Sequence, residues 1–215
     1  MTTPVWVLLV SLAITSLINW VSVARGDLVV GRITTPTFMV LLLGLAWALH
    51  GEGRVPGAPT LPPVLLAVGL GLAGDLALLR ATRGRYLLGL GAFVASYCAY
   101  GFAILESVGP YGFPWLLPPA LLAFGVLFAR WGRDVVRHAG PERLALFASQ
   151  LVLGGLVAVA GWRGDEVVVV GALLLVVAAT VVGHDRFVLE RRWAPVQGVA
   201  VHHVAHVLVV VGLLR

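Results

Sequence analysis

Long apolar runs alternate along the chain with short breaks rich in arginine, glycine and proline. An α-helix needs about 20 mostly apolar residues to cross a bilayer. Runs of roughly that size lie at 4–23, 34–50, 61–79, 86–105, 113–130, 143–161, 166–183 and 197–214. The breaks between them carry turn residues, as in Gly51-Glu52-Gly53-Arg54-Val55-Pro56, Gly109-Pro110 and Gly140-Pro141. The pattern predicts an all-α polytopic membrane bundle of about eight transmembrane helices, forming a single domain over residues 1–215. The second and seventh runs are short, which predicts tilted or partly re-entrant spans. Pro118-Pro119 predicts a kink in the fifth helix, since proline removes a backbone donor.

The first run resembles a secretory leader, and Ser22-Val23-Ala24 resembles a cleavage site. However, no positive charge precedes the run, and it is too long for a leader's apolar core. It is read as a retained span.

Composition sharpens this picture. Sixty per cent of the residues are hydrophobic and 12% are charged, too much apolar surface for a soluble domain of 215 residues. All 15 basic residues are arginines, and the net charge is +5. In a soluble protein that balance would suggest a nucleic-acid partner. Here the arginines sit almost entirely in the breaks, so no nucleic-acid binding is expected and the charge reads as a topology signal. Twelve arginines fall in the odd-numbered loops and three in the even loops and termini. By the positive-inside rule the odd loops are cytoplasmic and both termini are not. The expected location is a bacterial plasma membrane. Trp6, Trp20, Trp47, Trp115, Trp131, Trp162 and Trp193 lie near run ends, where aromatic belts form. Cys98 is the only cysteine, so no intramolecular disulfide can form, and it is expected to be a small packing residue.

A weak repeat joins the two halves. Phe93-x3-Tyr97-x2-Tyr100 has the spacing of Val199-x3-His203-x2-His206, offset by 106 residues. It suggests two four-helix halves of like orientation, although short apolar patterns also match by chance.

Asp75 is the first candidate for chemistry. It lies about 7 Å inside the cytoplasmic end of the third predicted helix, at about 1.5 Å per residue. A carboxylate within the membrane costs on the order of 3 kcal/mol unless it is paired, wet or protonated. One reading is an interfacial salt bridge to Arg80 or Arg83. The favoured reading is functional, because such a costly group usually serves a site. His202, His203 and His206 follow in the eighth span, about 10 Å deep from the same side. Spacings of three and four put them on neighbouring helix positions. With Asp75 they could form a metal site, but no HExxH motif or second acidic ligand accompanies them. Neither a metal nor a cofactor is expected. Acid–base or hydrogen-bonding roles are favoured over metal binding, because histidine titrates near neutrality. Histidines satisfied by adjacent helices are the remaining reading.

Asn19, Tyr97, Tyr100, Gln150, Thr180 and His184 complete the intramembrane polar set. Singly such residues are more often helix–helix glue than site. Most lie between the midplane and the cytoplasmic ends, with Tyr97 near the midplane and Tyr100 slightly beyond it. One-sided polarity predicts a cavity opening toward the cytoplasmic leaflet, whereas a through-pore would show polar groups at every depth. Tyr97, Tyr100, His202 and Thr180 are the expected substrate-binding residues. The P-loop, GxSxG and dinucleotide fingerprints of soluble enzymes are absent. Glycines at 69, 71, 74, 84, 89 and 91 are expected to permit close helix packing.

Gly74-Asp75-Leu76, then Leu88-Gly89-Leu90-Gly91-Ala92-Phe93 and Tyr100, resemble the YhhN-type lysoplasmalogenase family. Gly171-Ala172-Leu173-Leu174 and Asp185-Arg186-Phe187 do as well. The resemblance spans most of the chain. It implies eight helices and hydrolysis of the vinyl-ether bond of lysoplasmalogens to a fatty aldehyde and a glycerophospho-head group. The chain departs from the family pattern at Thr35-Pro36, where the family has Lys-Pro, and at Tyr97, where it has His. It departs again at Ala178-Ala179, where the family has Ser-Asp, and at His202-His203-Val204-Ala205-His206, where it has Tyr-Tyr-x-Ala-Gln. Vinyl-ether hydrolysis needs an acid to protonate the alkene carbon and a base to activate water. One carboxylate, Asp75, remains of the family's two, so His203 or His206 is read as its partner. The expected partners are a lysolipid or other amphiphile and membrane lipids. The alternative functions are a diverged, non-hydrolytic amphiphile binder and a small-solute transporter.

Overall fold

A computed structural model describes residues 2–52, 57–79, 82–107 and 114–215. These residues are helical almost throughout, with no strand among them. The helices are α1 (Thr3–Arg25), α2 (Leu28–Gly51), α3 (Leu61–Leu78), α4 (Arg83–Glu106), α5 (Leu117–Leu127), α6 (Arg133–His138), α7 (Arg143–Arg163), α8 (Glu166–Phe187) and α9 (Ala194–Leu214). Phe128–Gly132 is a π-helical turn that joins α5 to α6, and Gly140–Glu142 is a 3-10 turn that leads into α7. Seven helices are long and apolar enough to cross a membrane: α1, α2, α3, α4, α7, α8 and α9. The fifth expected span is a helical run interrupted by the π turn. The chain is therefore a polytopic membrane bundle.

Caps set the ends. Asp27 Oδ1 accepts the amides of Val29 and Val30, each at 3.1 Å, and so starts α2 at Leu28. Asp165 Oδ1 does the same for Val167 and Val168 at the start of α8. Gly26 and Gly164 close α1 and α7 at φ of 71° and 78°, left-handed values that glycine adopts without steric cost. The N-termini of α1 and α3 have no side-chain cap of their own. Glu52, just past α2, accepts the Thr2 amide. Glu106, at the end of α4, accepts both the amide and the hydroxyl of Thr60, at 3.1 and 2.7 Å. Each glutamate thus brings a negative charge to the positive end of a neighbouring helix dipole.

Three sequence expectations change. The short second and seventh spans are full-length helices of 24 and 22 residues, not re-entrant segments, because aspartate caps extend their starts beyond the apolar runs. Pro118 and Pro119 open α5 instead of kinking it, as their missing amides would be unbonded in a first turn anyway. Pro36 does lie inside α2, yet the helix runs through it. Around it Thr34, Thr35 and Thr37 donate to the carbonyls of Val30, Gly31 and Ile33. Cys98 is exposed, on the outward stripe of α4 with Leu105, and is not a packing residue.

Contacts divide the chain into two compact units, Met1–Ser107 with Val210–Arg215, and Val108–Val209. In the first, α1 packs on α2, α2 on α3 and α3 on α4. In the second, α7 packs on both α5 and α8, and α8 approaches α9 at Gly171. Each unit therefore pairs helices that follow one another in sequence. Six of the seven tryptophans are exposed, as are Val7, Val10, Ile14, Leu17 and Val21 along α1. In a membrane helix, apolar residues of this kind meet lipid.

Candidate functional site

Close packing brings Asp75 inside the first unit. A Cβ on Gly74 would lie 3.0 Å from the Phe93 ring, and one on Gly89 would lie 3.2 Å from the Gly74 carbonyl oxygen. Only glycine at 74 and 89 lets α3 and α4 approach this closely. Ser96 adds a stitch, its hydroxyl donating to the Ala67 carbonyl at 2.7 Å. Asp75 follows Gly74 and is buried on α3. On α4, Phe93, Tyr97 and Tyr100 follow the i, i+4, i+7 spacing of one helix face. Phe93 and Tyr97 stack with ring centroids 6.3 Å apart, and both tyrosines are buried. The Asp75 carboxyl lies within electrostatic reach of Tyr97, and Tyr97 of Tyr100. The structure thus joins three expected site residues, Asp75, Tyr97 and Tyr100, into one buried polar group. Arg83 opens α4, while Arg80, the other possible partner of Asp75, lies outside the described residues.

The histidines form a second group, in the second unit. Val199, His203 and His206 repeat the spacing of the α4 face. His203 and His206 are buried. The ring centroids of His202 and His206 are 4.4 Å apart, edge to face, and those of His202 and His203 are 6.4 Å apart. Because α9 begins at Ala194, His203 lies about 14 Å along it, farther from the helix start than the apolar run suggested. Glycines also set the position of α9. A Cβ on Gly171 would lie 2.7 Å from the Val209 side chain, and one on Gly198 the same distance from Val182. These two contacts fix an antiparallel α8–α9 register, which puts Thr180 level with the residues just before His202. Thr180 is buried, and its hydroxyl has no hydrogen-bond partner among the described residues.

The remaining polar residues separate into glue and an unexpected feature. Asn19 Nδ2 donates to the hydroxyls of Thr34 and Thr35, at 2.7 and 2.9 Å, and ties α1 to α2. Asp185, in the Asp185-Arg186-Phe187 motif, accepts the Arg191 amide at 2.7 Å, and the Arg191 guanidinium reaches His184 Nδ1 at 2.9 Å. Both contacts anchor the α8–α9 connection. Gln150 is buried on α7, and its side-chain oxygen has no partner among the described residues. It faces the π turn, since a Cβ on Gly132 would lie 3.5 Å from it. Sequence reasoning found Gln150 but not the π turn, a feature frequent at functional sites. Arg130 and Gly132 interrupt the apolar run there and read as the end of a span, so nothing in the sequence marks a π turn within a continuing helix. Among the described residues no group of three or more His, Cys, Asp or Glu side chains is arranged to hold a metal ion.

A carboxylate and two tyrosines buried in one unit, and two buried histidines with a half-buried third in the other, mark a helical membrane protein with titratable side chains within its apolar helices. The chain belongs to the YhhN family, whose model matches residues 31–213, most of its length. That family includes lysoplasmalogenases. No curated protein and no solved structure matches the chain.

Proposed function

We propose that this protein is a membrane-embedded lipid hydrolase of lysoplasmalogenase type. Asp75 carries the reading: it is a buried carboxylate at a position that matches the family pattern, in a chain that the family covers from residue 31 to 213. Asp75 delivers a proton to the alkene carbon remote from the ether oxygen. Water then adds to the carbon bearing that oxygen, and His203 or His206 takes the water's proton. The hemiacetal so formed collapses to a fatty aldehyde and the glycerophospho-head group. Substrate binding is assigned to Tyr97 and Tyr100 in the unit that carries Asp75, and to His202 and Thr180 in the unit that carries the other histidines. Release of aldehyde from a lysoplasmalogen by the pure protein tests the reading. Binding without release would favour an amphiphile-binding protein instead, an alternative suggested by Ala178-Ala179 replacing the family's Ser-Asp.

The chemistry so written uses only water and acid–base groups of the chain, so turnover is expected to survive chelation unchanged. Loss on chelation with recovery on adding Zn²⁺ would return His202, His203 and His206 to the role of ligands.

Both termini lie on the non-cytoplasmic side of a bacterial plasma membrane in this reading, which rests on the arginine asymmetry. Reporters fused after Arg215 and between His138 and Gly140 should report opposite sides. Ala139 lies between the end of α6 and the 3-10 turn, so a fusion there interrupts no helix. A cytoplasmic signal from the Arg215 fusion would invert the topology and move the polar groups to the outer leaflet.

A further inference from the structure

At the end of the second unit that carries most of its arginines, a cleft of about 520 Å³ opens beside the π turn. Arg133 and Arg137 on α6 and Arg143 at the start of α7 line it, together with Phe128, Leu144 and Phe147. Arg133 and Arg137 are four residues apart and share a helix face. Val135 holds that face in place, because α6 packs on α8 where Gly183 leaves room for the Val135 side chain. No carboxylate lines the cleft, although Asp134 and Glu142 lie in the same stretch of chain. None of the three arginines forms an ion pair among the described residues. Of the apolar lining, Leu144 is 80% and Phe147 41% exposed, while Phe128 is half-buried and Val136 buried.

A topology signal requires only that arginines be present on one side. It does not require three of them to converge on one cleft, nor an aromatic and aliphatic wall beneath them. Guanidinium forks match phosphate oxygens in a bidentate manner. Basic pockets at the ends of membrane helices, with apolar surface continuing into the bilayer, suit a lipid with an anionic head group. We infer that the Arg133–Arg137–Arg143 cleft binds the phosphate of an anionic phospholipid, whose acyl chain lies over Phe128, Leu144 and Phe147. The occupant is a membrane lipid and not free phosphate, because the apolar wall would otherwise face the cleft unused. The site lies apart from Asp75 and does not depend on the proposed hydrolysis.

The test uses the full-length, delipidated protein and native mass spectrometry, with phosphatidylglycerol and phosphatidylcholine added in competition. The wild type is expected to retain phosphatidylglycerol preferentially. R133Q/R137Q/R143Q should weaken that retention by about a hundredfold, each arginine near a charged lipid surface contributing about a factor of five. R25Q/R32Q/R85Q removes the same charge elsewhere and should leave retention at the wild-type level. Equal losses in the two triple variants would reduce the effect to bulk charge and overturn the assignment. Phe147→Ala keeps every charge, so it serves even if the arginine triple variant does not fold. It should weaken phosphatidylglycerol retention several-fold, and unchanged retention would remove the acyl-chain part of the assignment. Displacement of the lipid by equimolar inorganic phosphate would make the free anion the occupant and overturn the lipid assignment.

Discussion

Asp75→Asn is expected to lower lysoplasmalogen turnover by about two orders of magnitude or more, the usual contribution of a positioned acid or base. The substitution keeps the shape of the side chain beside Gly74 and removes only the group that exchanges a proton. Because Asp75 is buried against α4, asparagine should also leave the fold intact, and an unchanged melting temperature in detergent would verify that. His203→Gln and His206→Gln separate the two candidate partners. Combining the more damaging of them with Asp75→Asn should cost little beyond Asp75→Asn alone, as groups that act as a unit are strongly non-additive. Wild-type turnover by well-folded Asp75→Asn protein would falsify the proton-transfer role. A structural ion pair would then be the better account of the carboxylate.

Gly171→Ala should destabilise the protein by about 1–3 kcal/mol, the usual cost of forcing atoms into a packed interior. The added methyl would lie 2.7 Å from Val209 Cγ2, 2.9 Å from the Val209 amide nitrogen and 3.2 Å from the Ala205 carbonyl oxygen. Two of these three atoms are backbone, so α9 must move as a body, and His206 lies on that stretch. Turnover should therefore fall along with the melting temperature. Gly155→Ala is the control, since its methyl would meet nothing within 4 Å. There alanine's better helix propensity should leave the melting temperature unchanged or slightly raised. Equal melting temperatures for the Gly171 and Gly155 variants would show that α8 and α9 are not held at the distance the structure gives.

Much of this was legible in the chain. Lipid offers no hydrogen bonds to a bare backbone, so each crossing must be a helix with an apolar run of bilayer length, and such runs are countable. The starts of α3, α7 and α8 coincide with the expected positions at Leu61, Arg143 and Glu166 for that reason. Asp75, His203 and His206 stood out because polar groups in such runs are rare and costly. The shared spacing of Phe93, Tyr97 and Tyr100 with Val199, His203 and His206 was likewise visible, and the structure buries Tyr97, Tyr100, His203 and His206 on their helices.

What the sequence did not disclose depends on neighbours. Hydropathy ends the fifth span near Arg130, where charge begins. The helix nevertheless continues through a π turn to His138, because Val135 and Val136 are buried and Val135 fits against Gly183 of α8. The same packing turns a stretch that reads as a charged loop into one wall of the arginine cleft. Pro118-Pro119 read as a kink and instead falls in the first turn of α5, because of where α5 begins against α7. A Cβ on Gly161 of α7 would lie 2.8 Å from Leu117 Cα. Sequence alone therefore determined how many apolar segments there are, roughly where they cross and which costly side chains they carry, since each of those follows from one segment meeting lipid. Tertiary structure decided how far each helix runs past its apolar segment, which polar groups it brings together and where a cleft opens, since those follow from one helix meeting another.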